Sequence, residues 1–247
     1  MYKYETHLHT WQSSLCGKTK AELYPAYYKN LGYDGIIITD HFFNGNCAVK
    51  IAYDWKDMVN RFCYGYELAK EAGDAIDFKV FFGWEDNFEG DEYLVYGLDK
   101  NWLLEHKDIL EWNRTEHYDR IHADGGLVVQ AHPYRERGYL NAIRLNPETC
   151  DACEGYNSFN SDHMNHNSVR YAHDYNLPMT AGSDFHEIGS LPDPKRHFAM
   201  EFEEPLSSSK DYADAILAGK GNMVVAEEFR GMSDVITTEL PVIVNHR

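Results

Sequence analysis

The feature that most constrains this chain is a recurring punctuation: short apolar runs that each end on a histidine or a carboxylate. Gly35-Ile36-Ile37-Ile38-Thr39 stops at Asp40-His41, and Lys79-Val80-Phe81-Phe82-Gly83 delivers Trp84-Glu85. Gly125 to Ala131 leads into His132-Pro133, and Leu177 to Gly182 ends at Ser183-Asp184-Phe185-His186. Near the start, Glu5-Thr6-His7-Leu8-His9-Thr10 has the same character. Residues two apart on a strand project from one face, so His7 and His9 are expected to point the same way.

Helical periodicity fills the gaps between these runs. Lys18 to Leu31 reads as a helix with Thr19 as its cap and Leu23, Ala26, Tyr27 and Leu31 on one face. Asp54 to Ala72, Trp102 to His122, Asn165 to Tyr175 and Ser207 to Leu217 read likewise, with Asp86 to Asp91 as a loop before a strand at Tyr93 to Gly97. Nothing resembling a linker interrupts the pattern, so residues 1–247 are expected to form one α/β domain, with its core over about 2–226 and a tail over 227–247. Alternating strands and helices imply a parallel sheet, either open or closed into a barrel. Five polar motifs, all falling at strand C-terminal ends, favour the barrel, whose sites assemble on that rim. An open doubly wound sheet gathers its ligand at one switch point instead.

Charge and cysteine usage narrow the function classes. A net charge of −17 argues against a surface that wraps nucleic acid, but it leaves room for a small phosphorylated substrate. Five cysteines are odd in number and sparse over 247 residues, as suits a reducing compartment; Cys150-x-x-Cys153 has no second pair to complete a zinc knuckle. Tyr2-Lys3-Tyr4 opens the chain without an apolar leader, and no run approaches the ~18 apolar residues of a membrane span. A cytoplasmic protein without membrane contact is expected; the oligomeric state is left open.

The candidate ligands are His7, His9, His41, Glu85, His132, Asp184 and His186. Imidazole and carboxylate without thiolate suit Zn²⁺, Mn²⁺ or Fe²⁺ in a hydrolytic role. Singly, some have ordinary explanations: Asp184 also reads as a helix N-cap, and His132-Pro133 as a turn. Together they are too many for one ion that keeps a water position open, so a cluster of two or three divalent ions with Glu85 bridging is expected. Such a cluster activates water near neutrality and clamps phosphoryl oxygens. Arg135 and Arg137, just past His132-Pro133-Tyr134, are the candidates to hold a phosphate, because a guanidinium offers a bidentate fork. Asp40 joins Arg135 as a candidate catalytic residue.

In the order of these motifs, with Glu154-Gly155-Tyr156-Asn157 between them, the chain resembles the polymerase-and-histidinol-phosphatase (PHP) domain family from residue 2 to about 226. The resemblance implies a distorted (β/α)₇ barrel with a metal cluster at its C-terminal rim and phosphoesterase activity. Carried over by motif, His7, His9, Glu85 and Asp184 resemble a first metal site, Glu85 and His132 part of a second, and His41 and His186 part of a third. Two departures stand out. Many members place a His or Asp after the His-x-His pair, where this chain has Ser13, Ser14, Leu15 and Cys16. Many also have a His where this chain reads Asp91-Glu92-Tyr93, so Glu92 is the candidate substitute. The third site is therefore short of ligands, and about two ions per chain are expected. The function expected is hydrolysis of a small phosphomonoester by a metal-activated water. The alternatives are hydrolysis of a lactone or amide at the same site, or a non-catalytic PHP domain with a partial metal site.

Overall fold

The apolar runs become strands whose side chains alternate between a barrel interior and a surrounding layer of helices. The computed structural model describes residues 1–52, 54–191 and 193–246. Its strands are β1 (Tyr2–Glu5), β2 (Gly35–Ile38), β3 (Lys79–Phe88), β4 (Asp91–Tyr96), β5 (Leu127–Gln130), β6 (Ile143–Leu145), β7 (Ala152–Asn157), β8 (Met179–Gly182), β9 (Ala199–Phe202), β10 (Asn222–Val224) and β11 (Val242–Val244). The main sheet has the order β10-β9-β1-β2-β3-β4-β5-β7-β8. A parallel bridge between Leu8 and Phe185, just past β1 and β8, nearly closes the ring. Strands β1, β2, β3, β4, β5, β7 and β8 thus form the expected distorted barrel, while β9 and β10 extend antiparallel from the start of β1.

One strand of the ring runs backwards. β4 pairs antiparallel with both β3 and β5. Its cause is local: Glu89 (φ 57°) and Gly90 (φ 97°) form a two-residue connection in the left-handed region, the geometry of a primed hairpin turn. The loop expected over Asp86–Asp91 is therefore only these two residues, and β3 continues to Phe88.

Alternation divides the core. Ile37, Phe81, Leu94, Tyr96, Leu127, Val129 and Ala181 pack together with Tyr4 inside the ring. Their neighbours Ile36, Ile38 and Val80 pack outward against Tyr24, Tyr28 and Ala69, and Phe82, Trp84, Tyr93, Val95 and Val128 form a second outer layer. The outer helices are α1 (Tyr24–Asn30), α2 (Trp55–Phe62), α3 (Tyr64–Asp74), α4 (Lys100–Glu105), α5 (Arg114–Ala123), α6 (Asp162–Asp174) and α7 (Ser209–Leu217).

Several helices are shorter than periodicity predicts. A 3₁₀ turn at Ala21–Leu23 precedes α1, whose first turn holds Pro25, and Thr19 accepts from the Ile188 amide instead of capping. The segment after Asp54 is two helices meeting at Cys63, and Trp102 to His122 is split between α4 and α5, each with its own side-chain cap at Asp99 and Asn113. Near the C-terminus, β11 pairs in parallel with β6, and Ile236, Leu240 and Val244 pack beside Tyr134 and Ile143. Among the described residues, no helix is long and apolar enough to cross a membrane.

Candidate metal centre

Strand β1 ends at Glu5, so His7 and His9 do not alternate on a regular strand as expected; a buried carboxylate holds them instead. Glu5 Oε1 accepts the backbone N–H groups of Thr6 (3.0 Å), His7 (2.9 Å) and Ser183 (2.9 Å), and Tyr28 donates its hydroxyl to Oε2 at 3.2 Å. Glu5 thereby ties the segment after β1 to the segment after β8. The His9 amide completes the tie by donating to the Phe185 carbonyl at 2.9 Å. Both imidazoles come to lie over the barrel mouth, with ring centres 5.1 Å apart.

The other strand ends converge on the same mouth. Backbone hydrogen bonds from Phe42 to the Glu85 carbonyl and from Glu85 to the Asp40 carbonyl set His41 beside Glu85. His132 (φ 27°) and Asp184 (φ 59°) adopt left-handed backbone conformations, which cost a non-glycine residue roughly 1–3 kcal/mol and cluster at functional sites. Four overlapping triads result, each with donor atoms within 4.8 Å of one another: His7–Glu85–His132, His7–His9–Asp184, His9–His41–His186 and His41–Glu85–Glu92.

Glu85 sits at the crossing point. Its Oε1 lies 3.3 Å from both His7 Nε2 and His132 Nε2, and its Oε2 lies 2.9 Å from His41 Nδ1 and 3.4 Å from His9 Nε2. Asp184 Oδ1 is 3.0 Å from His9 Nε2 and 3.4 Å from His7 Nε2. Yet His7 Nε2, His9 Nε2, His41 Nδ1 and Glu85 Oε2 are buried without a hydrogen bond. Buried polar atoms are nearly always paired, so lone pairs gathered at one point and unsatisfied are what a cation site requires. The donor set fits divalent ions of the zinc, manganese or iron type.

Electrostatics separates the members. Burial would raise the carboxyls of Glu85 and Asp184, but His7 and His41 hold the first, and Arg135, His7 and His186 the second, well below the usual range. Burial, reinforced by His41 and His186, pushes His9 well below the usual imidazole value, leaving it neutral. Burial also opposes the charge on His7 and His41, but carboxylates win: Glu154, Asp184 and Glu85 raise His7, and Glu85 raises His41, both well above the usual value.

Around the cluster lies a set of supports that spacing alone did not reveal. Glu154 Oε1 stands 2.9 Å from His7 Nδ1, and its Oε2 accepts from the His132 amide and from Asn157 Nδ2, both at 3.0 Å. A carboxylate behind an imidazole fixes which nitrogen faces the cluster. The sequence signal is the Glu154-Gly155-Tyr156-Asn157 motif, which lies on β7 itself. Asp40 also differs from its expected catalytic role. Its carboxylate accepts from the Thr10 amide (2.6 Å), the Thr10 hydroxyl (2.7 Å) and the Ser14 hydroxyl (2.6 Å), so it organises the Thr10–Ser14 loop and does not face the cluster.

Arg135 and Arg137 part company. The Arg135 guanidinium is nearly buried and donates to Asn160 Oδ1 (2.8 Å), Asn157 Oδ1 (2.7 Å) and Asp184 Oδ2. Arg137 is exposed on the rim, donating only to the Glu136 carbonyl at 3.4 Å among the described contacts. Glu92 arrives on reversed β4, 3.5 Å from His132 Nε2 and 3.8 Å from His41 Nδ1. Cys16 Sγ lies 3.1 Å from His186 Nε2. A cleft of about 560 Å³ opens over the cluster, lined by Cys16, His41, Glu92, Arg135, Asp184 and His186, with Arg137 and Tyr139 at its edge.

Residues 162–220 match the family model described as PHP-associated. No curated protein matches the chain in sequence. The fold is similar to that of a two-domain protein from Bacteroides vulgatus containing a predicted PHP-like metal-dependent phosphoesterase (TM-score 0.68, 15% identity over 92% of this chain); the present chain spans 65% of that protein. It is also similar to a candidate metal-dependent phosphoesterase from Bifidobacterium adolescentis (TM-score 0.50, 17% identity, 92% of this chain and 98% of the other). At such identities the structures establish the fold. The sequence match over 162–220, the barrel fold and the ordered motifs at its rim all support the chain's likeness to the PHP domain family.

Proposed function

We propose that this chain is a metal-dependent phosphoesterase acting on a small phosphomonoester. The observation that carries the reading is Glu85 set among four imidazoles, three of which (His7, His9 and His41) turn a buried, unsatisfied nitrogen toward it, with Arg135 bound to Asp184 at the cleft wall. His7, His9, Glu85 and Asp184 would hold one ion, and Glu85, His132 and Glu92 a second. When bound, such ions polarise a phosphoryl oxygen and bring the pKa of a water toward neutrality.

The protein's own groups do the rest. A guanidinium carries five N–H donors; Arg135 uses three of them on Asn157, Asn160 and Asp184, leaving two for phosphoryl oxygens in the cleft. Arg137 at the rim offers a second cation against the repulsion of the site's carboxylates. A net charge of −17 supports a small phosphorylated substrate over a nucleic-acid polymer, and five free cysteines support a reducing, cytoplasmic setting.

The test uses protein stripped by chelation, reloaded separately with Zn²⁺, Mn²⁺ and Fe²⁺, and assayed on phosphomonoesters, phosphodiesters, lactones and amides. Metal-dependent turnover of phosphomonoesters above the other classes is expected. Metal-dependent turnover confined to lactones or amides would overturn the proposal, as would metal binding without turnover of any class.

A further inference from the structure

We propose that Cys16 is a metal ligand, and that the cleft-side position it forms with His41 and His186 selects a borderline-soft ion such as Zn²⁺ over Mg²⁺ or Mn²⁺. The inference rests on the metal-cluster reading above and adds a ligand of a different kind to it. Cys16 Sγ stands 3.1 Å from His186 Nε2. The other nitrogen of that ring, Nδ1, lies 2.7 Å from the Asp184 carbonyl, where only a donor fits, so Nε2 is the nitrogen turned toward the sulfur and is the one free to take a metal once deprotonated. The neighbouring rings supply an independent sign: the His41 side chain is 9% exposed, with its buried Nδ1 2.9 Å from Glu85 Oε2, and fully buried His9, its ring 4.3 Å from His41 and 4.4 Å from His186, leaves Nε2 without a hydrogen bond. His9, His41 and His186 each bring a ring nitrogen within 4.8 Å of the others, and Cys16, His41 and His186 line one wall of the cleft.

The thiol is also held in place. Ser14 donates its hydroxyl to Asp40 and accepts the His41 amide at 3.0 Å, which locks the loop to the base of the His41 segment. A Cβ on Gly17 would stand 2.2 Å from the Thr10 carbonyl oxygen, so the residue after Cys16 must be glycine for the loop to close this tightly. One thiolate and two imidazoles match the ligand count of a catalytic zinc that keeps a fourth position open, and a thiolate biases the site toward softer ions. As the sulfur–metal bond forms, the thiol proton passes to the solvent.

The test loads chelator-stripped protein with Co²⁺ and records its absorption. Wild type should show a near-ultraviolet sulfur-to-cobalt charge-transfer band that is absent from Cys16→Ser. Cys16→Asp should keep the wild-type ion count, lack the band, and shift ion preference from Zn²⁺ toward Mn²⁺. In unmutated protein, Zn²⁺ loading should slow alkylation of Cys16, mapped by mass spectrometry, by about tenfold or more, since a bound thiolate is withdrawn from reaction. A wild-type cobalt protein without the band, or equal alkylation with and without Zn²⁺, would overturn the inference. The two readings separate cleanly: the band without phosphoester turnover removes the proposed function and leaves the ligand, and turnover without the band does the reverse.

Discussion

Arg135 and Asp184 share a buried ion pair in which one carboxylate oxygen meets the guanidinium while the other lies 3.0 Å from His9 Nε2. A single carboxylate thus links the cation on the cleft wall to the imidazoles of the cluster. Asn157 and Asn160 fix the guanidinium plane, so its remaining donors are already oriented. Charged hydrogen bonds of this type contribute about 1.5–3 kcal/mol, and each ~1.4 kcal/mol is tenfold. Arg135→Ala should therefore lower kcat/KM for phosphomonoesters by roughly 10–100-fold. Arg135→Lys should recover little, because an ammonium cannot span Asn157, Asn160 and Asp184 at once. Steady-state kinetics on both variants, with bound metal quantified, decides the point; unchanged kinetics in Arg135→Ala rules the role out.

His9 and Asp184 face each other at the first set of ligands. Either replaced by alanine should strip most of the bound metal and lower turnover by several orders of magnitude. Elemental analysis after gel filtration, paired with the phosphatase assay, checks this. Full metal content in either variant would mean that the ion sits elsewhere.

Glu154 makes no direct approach to the cleft, yet it orients His7 and anchors the His132 amide. Glu154→Gln keeps the shape but removes the charge behind His7. Metal affinity should fall about 10–100-fold, the usual cost of losing such a partner. Competition with a chromophoric chelator measures it, and an affinity equal to wild type would contradict this account.

Acidity acts on the metal-free protein from two sides. His7 and His41 are raised, so the stability they contribute is complete below the unfolded imidazole value of about 6.5 and is lost as pH climbs through their folded values. His186, raised by Asp184 and Cys16 against the effect of burial, acts in the same direction, and Cys16, brought to about 7 by His186 and His41 against burial, offsets one of these three groups on the alkaline side. His9 is lowered, so below about 6.5 it must charge on unfolding and stability falls as pH drops toward its folded value. Chelated protein should accordingly weaken as pH rises above about 6.5. Metal displaces the protons on His7 and His41, so loaded protein should keep its melting temperature into the alkaline range and metal affinity should rise with pH. Melting curves across this range, with and without chelator, test the sign; an alkaline gain in the chelated protein would contradict it.

Much of the site was legible because strand ends in a barrel share one rim. His7, His9, His41, Glu85, His132, Asp184 and His186 all follow apolar runs, and the fold brings them together. What spacing could not convey was direction. Asp40 looks like a partner of His41 on paper, but its oxygens face Thr10 and Ser14. Cys16 falls on a loop with no periodicity, and only the folded chain sets it against His186. Asn157 and Asn160, which position Arg135, are amides with no charge to mark them as its partners in the sequence. Helix lengths were overestimated wherever a cap residue such as Asn113 restarted the helix inside one apolar pattern.

The reversed fourth strand makes the spacing of the site a matter of turn length. Asn87 pairs with Glu92 and Glu85 with Leu94, so Glu92 shares the inward face of Glu85 only because Glu89 and Gly90 make the shortest connection available. A slip of one residue in the β3–β4 register would turn Glu92 from the cleft toward the outer helices, while leaving every histidine where it is. The hairpin is thus a mechanical gauge: it sets the distance between two carboxylates by counting residues, so the pairing register, and not the identity of Glu92 alone, decides whether that carboxylate meets the cluster.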